Sequence, residues 1–178
     1  MKAKSIKGKS AEEIKTALQE SMADGFKPTL AMLFLSIKQD HKAVSVILNE
    51  AGISIFGATT NGEFIDEDTQ NGGVAILLMD MKPENFMILT SEYPDKNYRE
   101  IAHEAAKKAL VHFKKPAIML SYSHIETDAE ALLLGFEDII GKDVNVYGGG
   151  AGDDFTFSEQ IVFTNDWQSK RGMVVLVV

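Results

Sequence analysis

The sequence predicts an α/β domain in which a mixed β-sheet is flanked by helices, with a helix–strand–helix–strand–turn–strand unit occurring twice. Three observations carry that prediction. Amphipathic stretches of helical length alternate with apolar runs too short for helices. Several of those runs are continuously apolar, as in strands covered on both faces. Two glycine-rich turns recur at matching places in the two halves of the chain. A chain of 178 residues, 45% of them hydrophobic and 25% charged, suits one domain that buries about 70% of its unfolded surface.

The chain opens with Lys2, Lys4, Lys7 and Lys9, which predict a frayed, solvated tail. Helix 10–24 starts with Ser10 and Glu13 at capping-box spacing and places Ile14, Ala17, Leu18, Ser21 and Met22 on one face. Helix 40–51 groups Val44, Ile47, Leu48 and Ala51 and ends before Gly52. Helix 97–113 starts at Asn97, with Glu100 three residues on, and carries Ile101, Ala102, Ala105, Ala109, Leu110 and Phe113. Helix 127–140 starts at Thr127 with Glu130, carries Leu132, Leu133, Phe136, Ile139 and Ile140, and stops at Gly141. The runs 30–37, 53–57, 74–79, 86–89, 117–122, 144–147, 160–163 and 173–178 are predicted strands.

Composition narrows the function. No cysteine is present, which excludes disulfides, thiolate metal sites and cysteine nucleophiles. The net charge is −8 and the only arginines are Arg99 and Arg171, so no nucleic-acid partner is expected. The start lacks the apolar core of a signal peptide, and no apolar run approaches the ~20 residues of a membrane helix. The expectation is a cytoplasmic protein with no membrane partner.

The repeat organises the rest. The segment Ile53-Ser-Ile-Phe-Gly57-Ala-Thr-Thr-Asn-Gly-Glu-Phe64 parallels Val144-Asn-Val-Tyr-Gly148-Gly-Gly-Ala-Gly-Asp-Asp-Phe155. Gly57 lies 91 residues before Gly148, as Phe64 does before Phe155. Lys27-Pro28 precedes Lys115-Pro116 by 88, and Gly73 precedes Gly172 by 99. The drift fits a hairpin inserted around 160–167. The units span about 10–92 and 97–178 within one domain, and a twofold-related pair brings both turns toward one cleft.

The turns hold the candidate binding groups: Thr59, Thr60, Asn61 and Glu63 in the first, Gly149, Gly150, Asp153 and Asp154 in the second. Hydroxyls and bare glycine amides suit the anionic end of a small zwitterion. The carboxylates suit its cationic end. Such residues also serve tight turns for purely structural reasons. A dinucleotide reading of Gly148, Gly150 and Gly152 fails, because Asp153-Asp154-Phe155 follows where a helix should open on phosphate. Gly8-Lys9-Ser10 lacks the first glycine and the preceding strand of a P-loop.

Ser123, His124 and Asp128 have the residue types of a hydrolase triad but no nucleophile elbow, so they read as a strand-to-helix connection. Ser121 and Tyr122 at that strand end are placed to line a cleft. His41, His103 and His112 lack zinc spacing, and Asp66-Glu67-Asp68 lacks the pattern of a calcium loop. No metal, cofactor or catalytic residue is therefore assigned. An alternative reading is a hydrolase or transferase with Glu63 or Asp154 as general base.

Gly57-Ala-Thr-Thr-Asn-Gly-Glu63, followed by a Gly-Gly-led apolar strand, resembles a G-x-[ST]-T-x-G-E turn, and Gly148-Gly-Gly-Ala-Gly-Asp-Asp154 resembles a G-G-x-A-G-D-D turn. In this order they resemble the amino-terminal half of the FIST domain, a family of intracellular sensory domains in signal transduction. The resemblance runs from about residue 30 to 178. It implies a cytoplasmic sensor of small ligands, with amino acids the proposed class, linked to chemotaxis receptors, histidine kinases or cyclic-dinucleotide enzymes. It implies no established catalytic residues. The family's carboxy-terminal half is not in the sequence, and the chain stops at an apolar strand. That strand is expected to meet a second copy or the other half of the family unless it lies inside the sheet.

Overall fold

The computed structural model describes residues 1–66 and 68–178. Glu67, and with it the middle of the acidic 66–68 turn, lies outside the described residues. In chain order the first half runs β1 (Ala3–Gly8), α1 (Ala11–Met22), β2 (Leu30–Ser36), α2 (His41–Glu50), β3 (Ser54–Thr60), β4 (Glu63–Ile65), β5 (Asp68–Gln70) and β6 (Val74–Met79). The second runs β7 (Met87–Glu92), α3 (Tyr98–His112), β8 (Ala117–Tyr122), α4 (Ala129–Ile140), β9 (Asn145–Gly150), β10 (Val162–Phe163), β11 (Gln168–Ser169) and β12 (Gly172–Val177).

The predicted α/β class holds, with two main mixed sheets where one was expected. The first has the order β1-β6-β2-β3-β10-β11 and the second β7-β12-β8-β9. In each, a parallel pair (β2–β3, β8–β9) is followed by an antiparallel strand (β6, β12). Each of those pairs in turn with the strand that precedes the half's first helix (β1, β7). Leu33 sits opposite Gly57 as Leu120 sits opposite Gly148.

The sheets stack face to face with helices outside, giving four layers. Ala31, Leu33 and Leu35 of β2 pack with Ile14 and Leu18 of α1 and Val44 and Leu48 of α2. Ile118, Leu120, Met173 and Val175 pack with the alanines of α3 and with Leu132 and Phe136 of α4. Leu30, Phe56, Ala58, Val174 and Leu176 form the core between the sheets. Alternate residues of one strand thus serve two different cores, which explains the continuous apolar runs.

The helix starts follow from short polar side chains accepting first-turn amides. Ser10 accepts from Glu13 N, Asp40 from Lys42 N and Ala43 N, and Asp128 from Ala131 N. The cap of α4 is therefore Asp128, one residue after the predicted Thr127. Asn97 occupies the cap position of α3 without making a side-chain cap bond.

One expectation is corrected and two are made specific. The lysine-rich start is an edge strand, antiparallel to β6. Ile6 is buried, while Lys4 bonds the Ser21 carbonyl at 2.6 Å and pairs with Asp24 at 2.9 Å. Lysines are what a solvated sheet edge carries. The final strand is interior, held by β7 on one side and β8 on the other, so it offers no free ladder to a second chain. The 160–167 insertion contributes a hairpin strand, but β10 joins the first sheet, against β3.

Candidate functional site

The two glycine-rich turns meet directly. Gly152 N donates to Thr59 O at 2.7 Å, and Asp154 N donates to Thr60 O at 3.3 Å. Asn61 Oδ1 accepts from Asp153 N at 2.8 Å and from Phe155 N at 3.2 Å. A Cβ on Gly152 would stand 2.6 Å from Asn61 N, so glycine is what lets the bends touch.

Most of the candidate polar side chains spend their hydrogen bonds on the segments around this junction. Thr59 is fully buried and its Oγ1 accepts from Ile161 N at 3.0 Å. Asp153 is buried and accepts from Ser158 N at 2.6 Å and Glu159 N at 3.2 Å. Asp154 accepts from Ser36 Oγ at 2.7 Å and pairs with Lys38 Nζ at 3.3 Å. Glu63 is 1% exposed. Thr60 Oγ1 donates to Glu63 Oε1 at 2.6 Å and Gly73 N donates to Glu63 Oε2 at 2.9 Å. Glu63 thereby ties together the two ends of the β4–β5 hairpin, because residues 63 and 73 bracket it.

Beside the junction the sheets part around a cavity of about 720 Å³. One wall is the inner face of the first sheet, with Met32, Phe34, Phe56, Ala58 and Leu77. The facing wall is Met119, Ser121 and the backbone of Gly148, Gly149 and Gly150. Phe64, Ile65 and Asp66 of the hairpin stand at its rim. Ser5 of β1 lines it too. Gly149 makes room on this wall. Gly149 lies across the ladder from Ser121, so the two share a face, and a Cβ built on Gly149 meets nothing within 4 Å.

Of the eight candidates, Thr59, Thr60, Glu63, Gly149 and Gly150 border this cavity; Asn61, Asp153 and Asp154 do not. Of the pair expected to line a cleft, Ser121 lines the wall, whereas Tyr122 packs against the core on the helix side. Sequence reasoning missed the apolar wall, because Met32, Phe34, Phe56 and Met119 have the same pattern as core residues. The available signal was the glycine run, which removes volume from a strand that faces another sheet.

The remaining polar clusters lie elsewhere. Ser123 Oγ donates to Ser169 O at 3.1 Å, His124 Nε2 lies 3.0 Å from Arg171 Nη2, and Asp128 caps α4. These three residues therefore form no relay. Arg99 holds Asp138 through two bonds, of 2.6 and 2.8 Å, between α3 and α4. With His103 it keeps the Asp138 carboxyl well below the usual carboxylate range. Neither arginine lines the cavity. Burial pushes the Tyr93 hydroxyl up to about 12. Among the described residues no cluster of metal-ligating side chains is present, and no helix is long and apolar enough to cross a membrane.

No curated protein matches the chain. The family model of the FIST N domain matches residues 29–178. That span includes both glycine turns and every wall of the cavity except Ser5. The chain belongs to the FIST N domain family, whose members are generally sensory domains of signal transduction.

Proposed function

We propose that this chain is a cytoplasmic small-molecule sensor module whose ligand, an amino acid or a similar small metabolite, occupies the cavity between the sheets. One observation carries the reading: the cavity of about 720 Å³ opens beside both glycine turns. Its size and mixed lining suit a small ligand, with apolar walls for the body and a few polar groups at one end for orientation. The hairpin β4–β5 borders the same space, so a bound ligand touches an element tied to the junction through Glu63. Signalling partners of the kind linked to this family, chemotaxis receptors or histidine kinases, would read the ligand through such a contact.

A thermal-shift screen of amino acids and related metabolites tests the proposal. A ligand at a hundredfold excess over its Kd adds about 2.7 kcal/mol to the native state. That corresponds to a rise on the order of 5–10 °C in Tm for a chain of this size. Gly149→Leu is the control, because its side chain enters open space on the cavity wall. The expected result is a hit whose shift disappears in Gly149→Leu while the unliganded Tm barely moves. A screen without hits, or a hit indifferent to this substitution, removes the proposal.

A further inference from the structure

We infer that the cavity recognises its ligand through a cationic amine carried on an apolar body, and that a carboxylate weakens binding rather than driving it. This rests on the reading of the cavity as the ligand site and narrows it. Among the described residues, the ionisable side chains that line the cavity are Glu63 and Asp66; no lysine, arginine or histidine does. Glu63 is buried and receives one hydroxyl and one amide, whereas a carboxylate has room for about four donors. Glu63 is too buried to touch a ligand directly, and no cation among the lining residues offsets its charge at the cavity wall.

The neighbouring hydroxyls push the same way. Thr60 already gives its proton to Glu63, and Ser121 gives its proton to Gly149 O at 3.3 Å. Both therefore turn lone pairs, rather than protons, toward a ligand. An ammonium brings three donors to such a set. A carboxylate would bring a second negative charge beside a buried one, with no cation to offset its desolvation. The apolar walls agree, since Phe34, Met32 and Met119 are soft side chains suited to a cation on a hydrocarbon frame.

Matched probes test this: phenethylamine, phenylpropionate and phenylalanine, measured by thermal shift and calorimetry at pH 7. Phenethylamine is expected to bind the unaltered chain, phenylpropionate not to bind, and phenylalanine to bind more weakly than the amine. Gly149→Leu is expected to abolish amine binding. Asp66→Asn, at the exposed rim, is expected to weaken it about threefold. Glu63→Gln is expected to weaken it about fivefold, through loss of the buried charge behind the wall.

Phenylpropionate binding at least as well as the amine, with sensitivity to Gly149→Leu, overturns the amine inference and leaves the cavity reading standing. Binding of any probe that Gly149→Leu leaves intact overturns the cavity reading itself. No binding of phenethylamine at its solubility limit overturns the inference. Should Glu63→Gln unfold by circular dichroism, Asp66→Asn decides, and an unchanged amine affinity there also overturns it.

Discussion

At Tyr93 a buried hydroxyl lies 2.6 Å from Ser123 O, 2.8 Å from Gly172 O and 3.0 Å from Thr127 Oγ1. One side chain from the segment after β7 thus fastens the end of β8 to the start of β12. Tyr93→Phe removes one buried hydroxyl from this cluster, where Ser123 O keeps the Thr127 hydroxyl and Gly172 O keeps Ser123 N as donors, and is expected to cost about 1 kcal/mol, read by urea denaturation. The hydroxyl also sets an alkaline limit. Its folded pKa, about 12, lies above the unfolded value, so the folded state holds the proton longer. Its stabilising contribution is complete below pH 10 and lost as pH rises from 10 toward 12. Denaturation midpoints across that range are expected to fall more steeply for the native chain than for Tyr93→Phe. None of this was legible in the sequence, where Tyr93 is one aromatic residue in a loop. Asn61, Asp153 and Asp154 were legible as turn residues, because short polar side chains that bond nearby amides are what such bends require. The side-chain partners of Asp153 are local, but those of Asn61 and Asp154 were not legible, since the Asn61–Asp153 and Ser36–Asp154 bonds join residues 92 and 118 positions apart.

Gly57 shows how one glycine governs an element. It lies in a strand, not in a turn, and a Cβ there would stand 2.3 Å from the Phe163 ring. The ring lies on the bare backbone, and β10 is paired to β3 at that point. Gly57→Ala is expected to cost about 1–3 kcal/mol through crowding. Phe163→Ala is expected to cost about 3–5 kcal/mol through the void it leaves. The double variant is expected to lose less than the sum, because with the ring gone the methyl has room; thermal melts of all four chains check this. The helices and most strands were legible because each carries three or more clustered apolar residues. β1 was not, because Ile6 is its one large apolar side chain among lysines. The hairpin β4–β5 was hidden for the same reason: three-residue strands are too short to show a period.

On the scale of the molecule, the four-layer arrangement explains both what was legible and what was not. Helix and strand order fixed the class, and unbroken apolar strands showed that both faces are covered. That one cover is a second sheet follows only from tertiary pairing. The cavity is hidden in sequence because an apolar side chain facing a void and one facing a core read alike. The layers also give a prediction about boundaries. The family match begins at residue 29, yet β1 and α1 lie before it and supply Ile6, Ile14 and Leu18 to the first core. A chain of residues 29–178 loses burial worth on the order of 5 kcal/mol, comparable with the whole stability of a domain. It also bares the outer edge of β6. It is expected to melt far below the 178-residue chain and to scatter light on warming. The crossing of β10 into the first sheet carries a consequence for biosynthesis. On the side away from β2, Gly57 and Ala58 gain their ladder partners only after roughly 100 further residues have left the ribosome. Until then a nascent chain presents a flat, unprotected strand edge, and that interval is when a chaperone has most to shield.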